Sequence, residues 1–424
     1  MTLSEQHTDA ILTQKDPITD WIDAQERKED LPLYSSVDIR DAGFKMAVVD
    51  TNLFPAGFNN LCKLTLEAAK EDLKEVIDAR VPGGKRILLV TEEHTRNKWY
   101  LENVFVIQNV LKDAGFCVSV ASFLDSKPTE CDEFGYVELE TAKGNPLNMH
   151  CLKHVMMKMD AKETSFDLII LNNDLTTGVP DSLRESKIPI YPSINAGWHS
   201  RLKSHHFEEA NKVIHDFATQ FNLDPWHYSC LYEVVSDIDI NSESDRQRLY
   251  EAAQKLFNDI QAQYDKHNVS EKPFIFLKAD SGTYGMGVHP IESPEDILEL
   301  NRKSRNKLSK GKSSQKIQQF LLQEGVPSIK SVDQQTSEAC VYQIANHFVG
   351  GFYRLNNQKS SRENLNSQGM SFKTMCTSGH TECQNKQSDD CGIEFDPKID
   401  AYKTLARLAG IAAHREIKQL EGKS

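Results

Sequence analysis

No run of about 18 apolar residues occurs in the chain, and the N-terminal stretch MTLSEQHTDAILTQKD holds no basic segment leading into an apolar core. Those absences exclude a membrane-spanning helix and a signal peptide, so a cytoplasmic protein without a membrane partner is expected. Positive charge is also short: Lys and Arg number 49 against 62 Asp and Glu, a net charge of −13. A surface of that sign repels phosphate backbones and anionic lipid, which excludes a general nucleic-acid binder. Nine cysteines, an odd number, are scattered without a CxxC pair. That pattern excludes a disulfide framework and fits thiols in a reducing compartment. No GxGxxG follows the first strand of the α/β region, so a dinucleotide site is not expected. GKSS at 311–314 resembles the end of a P-loop, but Asn306 stands where that motif needs glycine. No convincing nucleophile–base–acid triad is present.

What remains is ordinary globular material, 39% hydrophobic and 26% charged over 424 residues, enough for two domains. One stretch stands out, KPFIFLKADSGTYGMGVHP at 272–290. Pro273 to Leu277 reads as a short buried strand that delivers Lys278 to a loop holding Ser281, Gly282, Thr283, Tyr284, Gly285 and Gly287. Glycines at that density let backbone N–H groups converge on an anion, and the lysine supplies a fixed charge. The plain alternative is a glycine-rich turn after a core strand.

Earlier, SSVDIRDAGFKMAVVDTNLFPAGFNNL (35–61) sets Arg40, Lys45, Asp50, Asn52, Asn59 and Asn60 among turn formers, the composition of a ligand-contacting loop or of a well-capped surface one. A charged helix near 65–79, a strand at 86–90, a helix near 100–114 and strands at 116–121, 166–174 and 188–193 follow. That alternation predicts a parallel α/β unit, whose ligands lie beyond the carboxyl ends of its strands. The rule points at Arg96 in TEEHTRN and at Asn172. NAGWHSRLKSHHF (195–207) crowds His199, Arg201, Lys203, His205 and His206, which suits a carboxylate or phosphate and repels a metal ion. Arg40, Arg96 and Arg201 are the residues expected to grip substrate carboxylates. Then FLLQEGV (320–326) reads as a strand ending in Gln323, Glu324, Gly325 and Val326. EACVYQIANHFVGGFYRLN (338–356) reads as a hairpin around Asn346–His347 that carries Glu338 and returns Arg354, with Asn356 following. SRENLNSQGMSF (361–372) brings Arg362, Asn364 and Asn366, and a last helix is expected over 402–420.

Six blocks carry a resemblance: SVDIRDAGFKMAVVDTNLFPAGFNNL, TEEHTRN, GWHSRLKSHHF, KADSGTYGMGV, LLQEGV and VGGFYRLN, which together span most of residues 34–366. The order of lysine strand, glycine flap, Glu–Gly–Val strand and Glu/Arg hairpin resembles the ATP-grasp fold of carboxylate–amine ligases. The whole is similar to the proteobacterial glutamate–cysteine ligase family of glutathione biosynthesis. The resemblance implies an α/β (α+β) chain: a polar arm at 1–30, a parallel, Rossmann-like pre-ATP-grasp domain at 31–195 and an ATP-grasp domain at 196–424. It implies ATP and Mg2+, or Mn2+, and small-molecule partners, glutamate and cysteine; a homo-oligomer is left open. Lys278 and the 281–287 loop would hold phosphates, and Gln323, Glu324 and Val326 the adenine edge. Arg354 and Arg362 would serve the transferring phosphoryl group, and Glu338, Asn356, Asn364 and Asn366 the metal ions. Asn52, Asn59, Asn172 and His199 join the three arginines as substrate candidates.

One departure concerns the Glu–x–Asn pair that many ATP-grasp enzymes carry late in the chain: none follows residue 370. Glu382, Glu394, Asp396 and Glu416 stand there with no motif to choose among them. A rival zinc reading rests on Cys376, His380, Cys383 and Cys391, whose irregular spacing fits an insertion with free thiols better. Two other functions stay in play, a glutathione synthetase and a nucleotide-binding regulatory protein without turnover.

Overall fold

In the computed structural model the described residues are 3–124, 135–281, 288–309, 317–376 and 396–422. Along the chain these form helices α1 (Leu3–Leu12) and α2 (Lys15–Glu26), strands β1 (Tyr34–Asp41) and β2 (Met46–Asn52), helix α3 (Lys63–Arg80), strand β3 (Arg86–Thr91), helix α4 (Lys98–Asp113) and strands β4 (Cys117–Ser122), β5 (Tyr136–Glu140) and β6 (Pro146–Cys151). There follow α5 (Leu152–Asp160), β7 (Leu168–Asn172), α6 (Asp181–Arg184), β8 (Ile190–Tyr191), α7 (Lys203–Phe221), β9 (Tyr232–Val235), α8 (Glu243–Lys266), β10 (Ile275–Ala279), β11 (Val288–Ile291) and α9 (Arg302–Leu308). The chain ends with β12 (Phe320–Glu324), β13 (Ser331–Val332), β14 (Gln335–Ile344), β15 (His347–Asn356), β16 (Ser371–Thr374) and α10 (Ile399–Glu421).

Three sheets result. The first, in the order β5-β6-β4-β3-β7-β8, is parallel except for its edge strand β5, which is the expected α/β unit. Its central strands are buried on both faces, as their unbroken apolar runs require. Ile87 and Leu89 point to a core shared with α3 and α4, and Leu88 and Val90 to one shared with α5 and Ile417 of the last helix. The second sheet, β11-β10-β12-β9, is antiparallel. The third, β16-β15-β14-β1-β2 with β13 paired to β14, is antiparallel and joins the N-terminal hairpin to strands about 300 residues later. Residues on either side of position 195 therefore share one sheet. The β14–β15 turn is Ala345–Asn346, one residue earlier than the sequence suggests, with Ala345 at φ 47°.

Alternation along β1 and β14 explains where the third sheet sits. Val37, Ile39, Ala339 and Val341 pack against α7 and α10, together with Ile11, Ile18 and Ile22 of the N-terminal arm. The opposite face is apolar at Tyr342 and Phe352, where α3 and α4 cover it, and charged further along, where it looks toward the second sheet. Among the described residues no helix is long and apolar enough to cross a membrane.

Candidate active site

Strand register assembles the charged face. Asp38 of β1 pairs with Asp50 of β2 on one side and with Cys340 of β14 on the other. Ile39 pairs with Ala339, which puts Arg40 beside Glu338, and Glu338 pairs with Arg354 of β15. Opposite-charge neighbours across strands stabilise such a row. Arg40 Nε donates to Glu338 at 2.8 Å, Arg354 donates to the other Glu338 oxygen, and Arg354 Nη1 donates to Asp38 at 2.8 Å. Across a cleft, β10 sinks Ile275, Leu277 and Ala279 into its own core and presents Phe276 and Lys278. Lys203, on the first turn of α7, closes a third side, and Asn364 and Asn366 close a fourth.

The electrostatics follow from burial opposed by neighbours. Lys278 is buried, and its Nζ donates to Gln323 Oε1 at 2.6 Å and to the Val49 carbonyl at 3.3 Å. Burial pulls its pKa down to about 8, against the attraction of Asp50. Burial would push Asp50 up, but Lys203, at 2.7 Å, and Lys278 outweigh it and hold the carboxyl well below the usual range. Glu338 is likewise kept low, its burial overcome by Arg40 and Arg354. Asp38 moves the other way: burial raises it, and Glu338 and Asp50 add to that against Arg354. The lining thus sets Lys203, Lys278, Arg40 and Arg354 against Asp38, Asp50 and Glu338, an excess of cations suited to a polyanion.

The cleft gathers Lys278, Arg354, Glu338, Arg40, Asn364 and Asn366 from among the residues singled out in the sequence. Asp50 and Lys203 line it as well; the other described candidates do not. Gln323 reaches it only through Lys278. Glu324 is fully buried in an ion pair with Lys45 at 2.6 Å and accepts from Trp226 Nε1 and the Leu231 amide, and Val326 is a core residue whose carbonyl accepts from Arg40. Arg362 pairs with Glu292, lies 4.1 Å over the Phe274 ring and donates to the Lys272 and Pro273 carbonyls, beside the start of β10 rather than its lysine end. Asn356 spends its amide on Leu365, Ser367 and Gln368 and its carbonyl on the Gln358 amide, which shapes the loop presenting Asn364 and Asn366.

Arg201 holds Glu416 bidentately at 2.8 and 3.0 Å, both side chains being buried, and donates to the Thr51 carbonyl. Asn172 donates to the Pro55 carbonyl and accepts from Asn103, so the strand ends of the parallel sheet are plugged by the chain's own 53–58 segment. Asn52 accepts from the Phe54 amide, Asn59 donates to Asn60, and His199 and Arg96 are exposed away from the cleft lining. Of the late carboxylates, Asp396 accepts from Lys330 and Tyr353, and Glu416 from Arg201. Gly282, Thr283, Tyr284, Gly285 and Gly287, and His380, Cys383, Cys391, Glu382 and Glu394, lie outside the described residues; Ser281 is described and exposed.

Sequence reading passed over Asp38 and gave Asp50 and Lys203 no specific role. Asp38 and Arg40 share a strand face by period 2, the one signal available for it.

The oxygen-rich lining fits a hard divalent cation. Among the described residues no three His, Cys, Asp or Glu converge into a ready metal cage, and Glu338 and Asp38 already carry arginine partners. Such a set suits a hard divalent cation that takes only one or two carboxylates from the protein.

Residues 8–417 match the family model described as GshA: Glutamate-cysteine ligase. A crystal structure from Methylobacillus flagellatus KT, provisionally named a gamma-glutamylcysteine synthetase, superposes with a TM-score of 0.85 at 31% identity, covering 99% of this chain and 98% of that one. A crystal structure of D-alanyl-alanine synthetase A from Vibrio cholerae O1 biovar eltor str. N16961 gives a TM-score of 0.34 at 11% identity over 79% of this chain and 81% of that one. No curated protein matches the chain.

Proposed function

Because the chain belongs to the glutamate–cysteine ligase family, we propose that the cleft between the second and third sheets is where ATP, glutamate and cysteine meet. The activity is the ATP-dependent joining of the cysteine amine to the γ-carboxylate of glutamate, giving γ-glutamylcysteine. A carboxylate is a poor electrophile, so its oxygen first attacks the γ-phosphorus of ATP and ADP leaves. The amine then attacks the acyl phosphate carbon, losing a proton as phosphate departs. Both steps need positioning and positive charge rather than a side-chain nucleophile.

The observation that carries the assignment is the convergence of Lys278, Lys203 and Arg354, from three distant parts of the chain, on the carboxylates of Asp38, Asp50 and Glu338. Lys278 and Lys203 are assigned to the phosphates, and Arg354 to charge on the transferring phosphoryl group. Glu338 and Asp38, with Asn364 and Asn366, would hold Mg2+, which when bound neutralises phosphate charge. Arg40 positions Glu338 while donating to the Ser361 and Glu363 carbonyls of the asparagine loop.

The test is ADP release with glutamate plus cysteine against γ-glutamylcysteine plus glycine. Release with the first pair only is expected; release with the second pair only would make the chain a glutathione synthetase, and release with neither a binding protein. Arg354→Ala and Lys278→Ala should each cut turnover by about 100-fold or more.

A further inference from the structure

Asp280 is a fully buried carboxylate that sits two residues beyond Lys278, at the root of the glycine-rich loop, and does not line the cleft. All of its polar atoms are spent on fixing two elements to each other. Its Oδ1 accepts from the Ser204 amide at 2.8 Å, its Oδ2 accepts from the Ser204 hydroxyl at 2.6 Å and from Gln319 Nε2, and its carbonyl accepts from the Lys203 amide at 2.9 Å. Its own amide donates to the Gln319 carbonyl at 3.1 Å.

These bonds have a particular meaning for α7. The residue before that helix is Leu202, which offers no side-chain cap, so the first-turn amides would otherwise be orphaned. Asp280 satisfies two of them from a neighbouring strand, and its carboxylate is oriented to complement the positive end of the helix dipole. The first residue of that turn is Lys203, whose ammonium reaches Asp50 at 2.7 Å in the cleft. One side chain thus joins β10, which carries Lys278, to the turn that carries Lys203.

We propose that Asp280 is a positioning residue for the ligase reaction: it sets Lys203 against Lys278 so that both ammonium groups meet one polyphosphate. This rests on the assignment of Lys203 to the phosphates. Two lysines on independently mobile elements would each lose entropy on gripping ATP, and the clamp removes that cost before the nucleotide arrives.

The experiment compares Asp280→Ala, Ser204→Ala and Lys203→Ala, singly and as the doubles with Lys203→Ala, by steady-state KM and kcat, with melting as a folding check. Asp280→Ala is expected to raise the ATP KM about ten-fold, the size of one well-placed hydrogen-bonded contact, with the glutamate and cysteine KM values within about two-fold of the parent. Ser204→Ala should move the ATP KM the same way by a smaller factor, and it serves as the test if Asp280→Ala does not fold. Asp280→Asn, which keeps one acceptor for the Ser204 amide, should recover part of the loss. On a Lys203→Ala background neither substitution should raise the ATP KM further. Additive effects on that background, or equal rises in all three KM values, would overturn the positioning role while leaving Lys203 as a phosphate contact. A Lys203→Ala enzyme with an unchanged ATP KM would remove both.

Discussion

Lys278 shows what the cleft costs the fold. Burial takes its pKa from 10.5 to about 8, a difference of about 3 kcal/mol against the charged form. Between those values the unfolded chain binds the proton and the folded chain does not, so this residue's contribution to stability rises as pH climbs through that window. Below about pH 8 the penalty is at its full value. Lys278→Met is therefore expected to melt at a higher temperature than the parent at pH 7, with the gain shrinking by pH 10, while turnover is lost. A lower melting temperature at pH 7 would show that the bonds to Gln323 and Val49 outweigh the burial. The arginines show the opposite side of legibility. Carboxylate-gripping chemistry could be read from Arg40 and Arg201, and both do grip carboxylates, but those of Glu338 and Glu416. No local pattern around residue 201 points to residue 416, because the pairing is made by packing. Arg201→Ala should consequently destabilise the protein by about 3 kcal/mol in urea unfolding, leaving the buried Glu416 with His206 at 3.1 Å but without its guanidinium, with the glutamate KM of the folded enzyme unchanged.

At the level of elements, the strands beside the cleft were legible because each is a short apolar run bounded by turn formers, and β10, β12 and the β14–β15 hairpin fall close to their expected limits. What the runs could not show is the spacing between them. Gly325 follows β12, and a Cβ placed there would lie 2.4–2.5 Å from the ring of Phe274, the residue before β10. Glycine is needed at this position for close approach of backbone to ring, since its φ is not positive. The same crossing is fixed by the Gly325 amide donating to the Phe274 carbonyl at 2.8 Å. Gly325→Ala should cost about 1–3 kcal/mol by overpacking, and Phe274→Leu in the same chain should recover part of that loss, as read by denaturant midpoints. Asp38 belongs to this scale too. Its alternation with Arg40 is visible in the sequence, but its place opposite Lys278 depends on β1 pairing with a strand about 300 residues away.

For the whole molecule, the third sheet and the helices behind it interlock the two ends of the chain. β1 has β2 on one side and β14 on the other, and the core behind them mixes Ile11, Ile18 and Ile22 with Val341, Tyr353, Leu405 and Leu408. The last helix adds polar ties to the N-terminal half: Lys15 to Asp400 at 2.7 Å, Arg407 to Glu26 at 2.9 Å and Glu416 to Arg201. A parallel α/β unit is legible in residues 86–191 from its strand and helix periods, yet nothing in that stretch says that the hairpin before it belongs to a different sheet. Expressed alone, residues 1–195 would keep the parallel sheet and lose every partner of β1 except β2. The freed β1 edge and the bare faces of Val37, Ile39 and the arm isoleucines would then meet water or another chain. The fragment is expected to be insoluble or to lack a cooperative melt, and co-expression with residues 196–424 to restore a soluble complex with ligase activity. The intact protein should unfold in one transition seen alike by far-UV and near-UV circular dichroism. A fragment 1–195 that melts cooperatively by itself, at the temperature of the full chain, would place an independent folding unit there and confine the interlock to docking of two finished domains.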